Sequence, residues 1–201
     1  HGEVVRGPAS ALYGPNAHNG VVNFITRSPF ASKGTTISLA GGNRSLTQGS
    51  VRHAGTAGDR FGYKISAQYF RGRDWEYADP EEADARRTAL RGGADEDTLL
   101  IGRREKFVER FGGEARLDLI LADDATANLT LGLNQAASTI ELTDIGASQG
   151  RDWRSTYVQS RMTYGSFFFQ AFMNMSDAGK SYILRTGMPV VDRSRMFVAQ
   201  V

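Results

Sequence analysis

Metal or acid–base chemistry in this chain of 201 residues would have to start from three histidines, His1, His18 and His53. They are neither paired nor spaced along a helix, so their pattern gives no metal site. Each reads as a polar residue of a loop or of a water-lined surface. No serine, histidine and aspartate fall in the order and turn context of a nucleophile elbow. The carboxylate pairs Glu81-Glu82 and Asp123-Asp124 sit at a helix start and in a turn, where carboxylates have ordinary structural uses. Asp95-Glu96-Asp97 reads as a solvated charge run. Cysteine is absent, which removes disulfides and cysteine-based zinc sites. No catalytic residue, metal or cofactor is therefore assigned, and the chain is read as a non-enzyme. The net charge of +2, with both signs interspersed, argues against nucleic acid as a partner, since that usually needs a clustered basic surface.

The elements that would position any binding residues are mostly strands. No window of about 18 apolar residues exists, so a membrane helix is excluded. A β-barrel is not, because its alternating strands escape hydropathy averages. Phe61, Tyr63, Ile65, Ala67 and Tyr69 alternate with Gly62, Lys64, Ser66 and Gln68. Leu117, Leu119, Leu129, Leu131 and Leu133 oppose Glu114, Arg116, Asp118, Asn128 and Asn134 in the same way. One apolar and one polar face suits a strand between lipid and water. It equally suits a half-buried soluble strand, and periodicity does not decide. Further strands are expected at 36–40, 46–53, 153–164, 167–176 and 195–201, about eight in all. A helix is expected from Pro80, with Asp79 as N-cap, Glu82 closing a capping box and Gly92-Gly93 ending it. Connections near Thr56, Asp123 and Gly165 are short. Those near Asp84, Thr143 and Thr186 are long, and Ala136–Asp152 reads as a polar loop. Aromatic residues gather at both strand ends, Phe61, Tyr63, Tyr164 and Phe167–Phe169 at one, Tyr69, Phe70, Trp75 and Tyr77 at the other. That is the distribution of two interfacial girdles.

The first stretch has a different grammar. Val4-Val5 is β-prone, Gly7 can take angles closed to other residues, Pro8 suits the start of a short helical turn, and Gly14 stops it. Pro15–Gly20 is loop chemistry and Val21–Ile25 is β-prone again. The ordered string Val4, Val5, Arg6, Gly7, Pro8, Ala9, Leu12, Tyr13, Gly14, Ala17, Gly20, Val21, Val22, Asn23, Ile25 and Thr26 closely resembles the end of the plug domain of TonB-dependent outer-membrane receptors. The resemblance is specific over residues 3–29 and architectural beyond. Asn19, where many members carry a small residue, departs mildly.

The resemblance implies a mainly β fold, a plug-domain segment followed by part of a large antiparallel transmembrane β-barrel. Residues 1–29 would be the end of the plug, 30–34 a linker and 35–201 the leading strands of the wall. Eight strands would close as a barrel filled by its own side chains, whereas plugged transporters have about 22. The chain is thus expected to be a fragment. It also implies a Gram-negative outer-membrane receptor importing a scarce extracellular ligand, a ferric siderophore, corrinoid, haem or glycan. The TonB-ExbB-ExbD complex would supply the energy, contacting the plug outside this stretch, and outer-membrane lipid would surround the wall. Arg6, Gly7, Pro8, Tyr13, Gly14, Gly20 and Asn23 would form the plug motif and its contact with the wall. Arg6 would pair with a lumen carboxylate, Glu114 or Asp118, or remain a solvated arginine. Trp75, Tyr77 and Trp153, at the ends of long loops, would stack on ligand or anchor the outer girdle. The competing classes are an outer-membrane barrel enzyme and a soluble β-sandwich binding module.

Overall fold

A computed structural model describes residues 2–7, 20–24, 26–143 and 146–201. Pro8, Tyr13, Gly14 and His18 lie outside the described residues, as does His1. The described residues are mostly β. A two-stranded antiparallel hairpin, β1 (Gly2–Arg6) and β2 (Gly20–Phe24), pairs Arg6 with Gly20. A Cβ on Gly20 would lie 2.7 Å from the Val5 carbonyl oxygen, so this end of the hairpin admits no side chain there. Gly7 turns out of β1 at φ +91°, an angle that favours glycine.

The rest is an antiparallel sheet of β3 (Gly34–Gly42), β4 (Leu46–Ala57), β5 (Phe61–Arg73), β6 (Phe107–Ala122), β7 (Ala125–Thr143), β8 (Gly146–Tyr164), β9 (Phe167–Asp177), the short β10 (Tyr182–Ile183) and β11 (Arg193–Gln200). Apart from β10, which pairs with β8, each strand lies beside its neighbours in sequence. The path is an up-and-down meander consistent with part of a β-barrel, and β3 and β11 are its edges.

Register carries the alternation across the whole sheet. Ile37 pairs with Val51, Val51 with Ala67, Ile65 with Ala115, Ala115 with Leu131 and Leu131 with Val158. Beyond them Val158 pairs with Met173 and Met173 with Phe197. Directly paired residues share a face, so one apolar face runs unbroken from β3 to β11. Ile37, Leu39, Val51, Ile65, Leu131 and Phe197 on it are exposed, Leu39 to 83% and Ile65 to 57%, while Ala67, Ala115, Val158 and Met173 are half-buried. The polar face carries Lys64, Gln68, Glu114, Arg116, Asn128, Asn134 and Tyr157, as the alternation predicts for all but Tyr157. Contiguous exposed apolar area on this scale marks a surface that something else covers.

Several expectations are corrected. The segment Ala136–Asp152 is not a loop. Its described residues, 136–143 and 146–152, are the upper part of the β7–β8 hairpin, which outruns β6 beyond Ser138 and β9 beyond Arg154. Strand β4 continues four residues past His53. Phe70 and Phe168 do not join the girdles. Both lie on the polar face, Phe168 beneath the Arg161 guanidinium. His53 lies on the apolar face instead of a water-lined one, hydrogen-bonded to Thr35 Oγ1 and Tyr63 OH.

The helix α1 (Pro80–Arg91) forms as its caps dictate. The Asp79 side chain accepts from the Glu81 and Glu82 backbone N–H groups, and Pro80 opens the first turn. Glu82 does not close a capping box. It is buried and holds Arg104 through two bonds, 2.8 and 2.6 Å. Most of the buried apolar residues, Ala147, Ala178, Tyr182, Ile183 and Leu184, collect here, above the sheet. Ala147, Tyr182 and Leu184 form a small core with Leu100 and Ile140. Tyr182 OH donates to Arg103 O at 2.6 Å and Gly102 N–H to Leu184 O at 2.8 Å. The long connections 74–106 and 178–192 are therefore one folded cap built on the projecting hairpin.

Candidate functional site

The polar face holds two levels of chemistry. At the lower level Lys64 Nζ lies 3.7 Å from Glu114 Oε1, and Tyr157 OH donates to Glu114 Oε2 at 2.6 Å. Register explains the second bond. Glu114, Gly132 and Tyr157 lie side by side on three strands, and the Tyr157 ring crosses the space a side chain at Gly132 would fill. Arg116 grips Asp118 through Nε at 2.6 Å and NH2 at 3.0 Å.

The segment 26–32 lies along this level. Lys64 and Arg116 each donate to Thr26 Oγ1 at 3.1 Å, Ser28 Oγ donates to Asp118 at 3.0 Å, and Arg52 donates to Ser32. Pro29 is fully buried, and Pro29 and Phe30 rest where Gly62 leaves room. Charge-assisted bonds of this kind are roughly twice as strong as neutral ones. The segment is thus anchored to the wall by four charged side chains from β4, β5 and β6.

Glu114 and Asp118 are accordingly taken. Their partners are Lys64, Tyr157, Arg116 and Ser28, and neither bonds to Arg6, which is exposed. Asn23 sits in β2 opposite Glu3.

At the upper level a cavity of about 1000 Å³ opens on the polar face. Gln48, Gln68, Phe70, Asn134, Trp153 and Ser155 contribute to its lining. A Cβ at Gly112 would meet Asn134 Oδ1 at 2.7 Å and Gln68 Nε2 at 3.0 Å, so the glycine lets the two amides approach. Trp153 Nε1 donates to Ser176 Oγ at 3.0 Å, which fixes its ring. Arg110 above donates to Thr139 Oγ1 at 2.8 Å and lies 3.5 Å from Glu141. Amides, hydroxyls and fixed rings hold a molecule by hydrogen bonds and stacking; they supply no activated nucleophile.

The structure separates the three predicted ring residues. Only Trp153 reaches this cavity. Trp75 and Tyr77 flank a smaller hollow of about 340 Å³ with Arg104, Lys106 and Ile140. Both are exposed, Trp75 under the Arg44 guanidinium at 4.2 Å and Tyr77 under Arg104 at 5.3 Å. The sequence reading missed Tyr157 and Arg52 and placed Phe70 in a girdle instead of the upper cavity. Tyr157 lies in the strand expected at 153–164, and only the pairing of β8 with Gly132 reveals its reach.

In the cap, burial pushes the Asp79 carboxyl up, but the backbone N–H groups of Glu81 and Glu82 and the Arg185 and Arg104 charges outweigh it and hold it below the usual range. Burial pushes the Tyr182 phenol up, with Glu105 adding to it.

No family model matches the chain. Over 113 residues it is 28% identical to the vitamin B12 transporter BtuB of Vibrio vulnificus (strain CMCP6). The match takes in 56% of this chain and 18% of that relative. The chain thus spans under a fifth of the length of the relative it matches. It is similar to part of a transporter.

Proposed function

We propose that this chain is part of a TonB-dependent outer-membrane receptor that imports a scarce extracellular ligand and does no bond chemistry itself. The apolar face that register carries from Ile37 on β3 to Phe197 on β11, backed by a polar face, carries the reading. Lipid outside and water inside is the arrangement that needs it. The plug-like string at residues 3–29 and the similarity to part of a vitamin B12 transporter support it. Residues 1–29 act as the end of the plug, 30–34 as the linker and 35–201 as leading wall strands. The inner-membrane TonB-ExbB-ExbD complex draws on the plug. The bonds with Lys64, Arg116, Arg52 and Asp118 keep residues 26–32, where the plug passes into the linker, on the wall while the rest of the plug moves. Arg6, Gly7, Pro8, Tyr13, Gly14, Gly20 and Asn23 shape the moving side. Ligand is captured at the upper cavity, with Trp153 as stacking surface and Trp75 and Tyr77 at the rim. The ligand class is a ferric siderophore, corrinoid, haem or glycan.

Uptake of labelled ligands of these four classes by cells carrying the whole protein tests the reading. At least one should accumulate, and accumulation should stop when the energy-coupling complex is deleted. Uptake indifferent to that deletion, or whole protein recovered in the aqueous fraction, overturns it. Trp153→Ala should weaken binding of that ligand by about 1–2 kcal/mol and leave heat stability unchanged. Titration of the purified variant checks this.

A further inference from the structure

The charged side chains at both levels of the polar face already have partners. Lys64 faces Glu114, Arg116 holds Asp118 and Arg52 holds Ser32. Among the described residues, the lining of the upper cavity carries one cation and one anion, Arg110 and Glu141, and they lie 3.5 Å apart as a single pair. What remains unpaired there is neutral. Gln48, Gln68 and Asn134 line the same cavity, all three exposed, and their side chains make no hydrogen bond among the described residues. Gln149 in the hairpin above shows the contrast, since its amide both accepts from Glu105 N–H and donates to Ser138 Oγ. A free carboxamide offers a donor and an acceptor side by side, the pattern that neighbouring hydroxyls match.

Register lays these groups out in two rows. Phe70 pairs with Arg110, Arg110 with Ala136 and Ala136 with Trp153. Two rings thus stand on one row, three strand spacings or about 14 Å apart along the backbone. The adjacent row runs Gln68, Gly112, Asn134 and Ser155. Trp153 is held by its bond to Ser176 Oγ at 3.0 Å, and the Phe70 ring leans over Gly72, where a Cβ would meet its Cζ at 3.6 Å. Rings at two ends of a slot, with amides and a hydroxyl along its side, match a chain of sugar rings. The C–H face of a sugar packs on an aromatic ring while its hydroxyl edge bonds to amides. A macrocycle presents one broad face and meets such separated rings only at its edges. The carboxylates of haem would find no unpaired cation in this lining.

We infer that the upper cavity takes an uncharged, linear oligosaccharide, laid between Phe70 and Trp153 with its hydroxyl edge on the Gln68 and Asn134 amides. The inference rests on the receptor reading above and narrows its ligand to one class. The two amides set the specificity. A site built to bond hydroxyls rejects a ligand that lacks them, because its own polar groups are then left without partners.

The test is calorimetric titration of the whole protein in detergent. The probes are linear α-glucan, β-xylan and chitin oligosaccharides and, separately, cyanocobalamin, haem and a ferric tricatecholate. At least one oligosaccharide should bind wild type, with an affinity that changes less than about twofold between low and high salt, since screening acts on charges. Gln68→Ala/Asn134→Ala should lower that affinity about tenfold or more at unchanged heat stability, through loss of the bonds to hydroxyls. Wild type that binds cyanocobalamin, haem or the ferric chelate and none of the oligosaccharides overturns the inference and leaves the receptor reading intact. An oligosaccharide affinity that falls steeply with salt, or that is undiminished in the alanine variant, does the same. Failure of every probe to bind overturns both.

Discussion

Gly132 shows how one residue sets the lower site. Its backbone lies between Glu114 and Tyr157, and a Cβ there would stand 2.0 Å from Tyr157 Cε1. Gly132→Ala should expel the ring, break the Tyr157–Glu114 bond and cost about 1–3 kcal/mol by overpacking. The melting temperature of the whole protein in detergent checks this. Tyr157→Phe, which keeps the ring and loses the bond, should cost less than the alanine change. Asp79 gives a pH prediction. Its folded carboxyl is held below the usual range, so its charged form favours the folded cap above the ordinary carboxylate pKa. That contribution is lost as pH falls through the depressed value. Exchange of the Glu81 and Glu82 amide hydrogens should therefore speed up on acidification, at a pH below the usual carboxylate range. Asp79→Asn keeps an oxygen cap and should abolish the dependence.

Among the elements, the cap behaves as one unit because Tyr182 and Leu184 bridge the two long connections. Leu184 is wholly buried and its carbonyl accepts from Gly102. Leu184→Ala should cost about 2–5 kcal/mol within the cap. Trypsin should then cut faster at Arg91 and Arg103, in the other connection, while the sheet strands stay protected. Unchanged cleavage at those sites would show the two connections to be independent. This cap is also where the sequence was least legible. The alternation of Phe61 to Tyr69 and of Leu117 to Leu133 exposes both faces of the sheet, and Asp79-Pro80 announces the helix. The upper β7–β8 hairpin is different, because it buries Ser138, Thr139, Ser148 and Gln149. Gln149 Nε2 bonds Ser138 Oγ and the Thr139 and Gly150 carbonyls, and its Oε1 accepts from Glu105 N–H. Polar burial satisfied by hydrogen bonds leaves no hydrophobic period to read. Glu82 eluded the sequence for a related reason. Its partner Arg104 lies beyond the helix, at a separation no local motif spans, while the capping-box reading uses only neighbours. The upper cavity was half legible. Trp153 was visible as a ring at a strand end, but its separation from Trp75 and Tyr77 depends on which face each element presents.

At the scale of the molecule the decisive feature is that, among the described residues, the sheet does not close. β3 pairs with β4 and β11 with β9, and each leaves its other side without a strand. The polar face already carries Trp153, Tyr157, Lys64, Arg116 and the seated segment 26–32. An eight-stranded barrel has an interior just wide enough for its own side chains. Closing these strands on themselves would have to displace that segment and bury its charged anchors against one another. Unpaired edges beside an exposed apolar face recruit other chains. Residues 1–201 expressed alone and refolded in detergent should therefore give associated or poorly ordered species. The measurement is gel mobility with and without heating, alongside light scattering. A heat-resistant monomer with a closed barrel's slow amide exchange would show that these strands suffice. It would also require residues 26–32 to leave the wall, which a cysteine pair at Ser28 and Asp118 can report. That pair should cross-link in the whole protein and fail to do so in such a closed monomer.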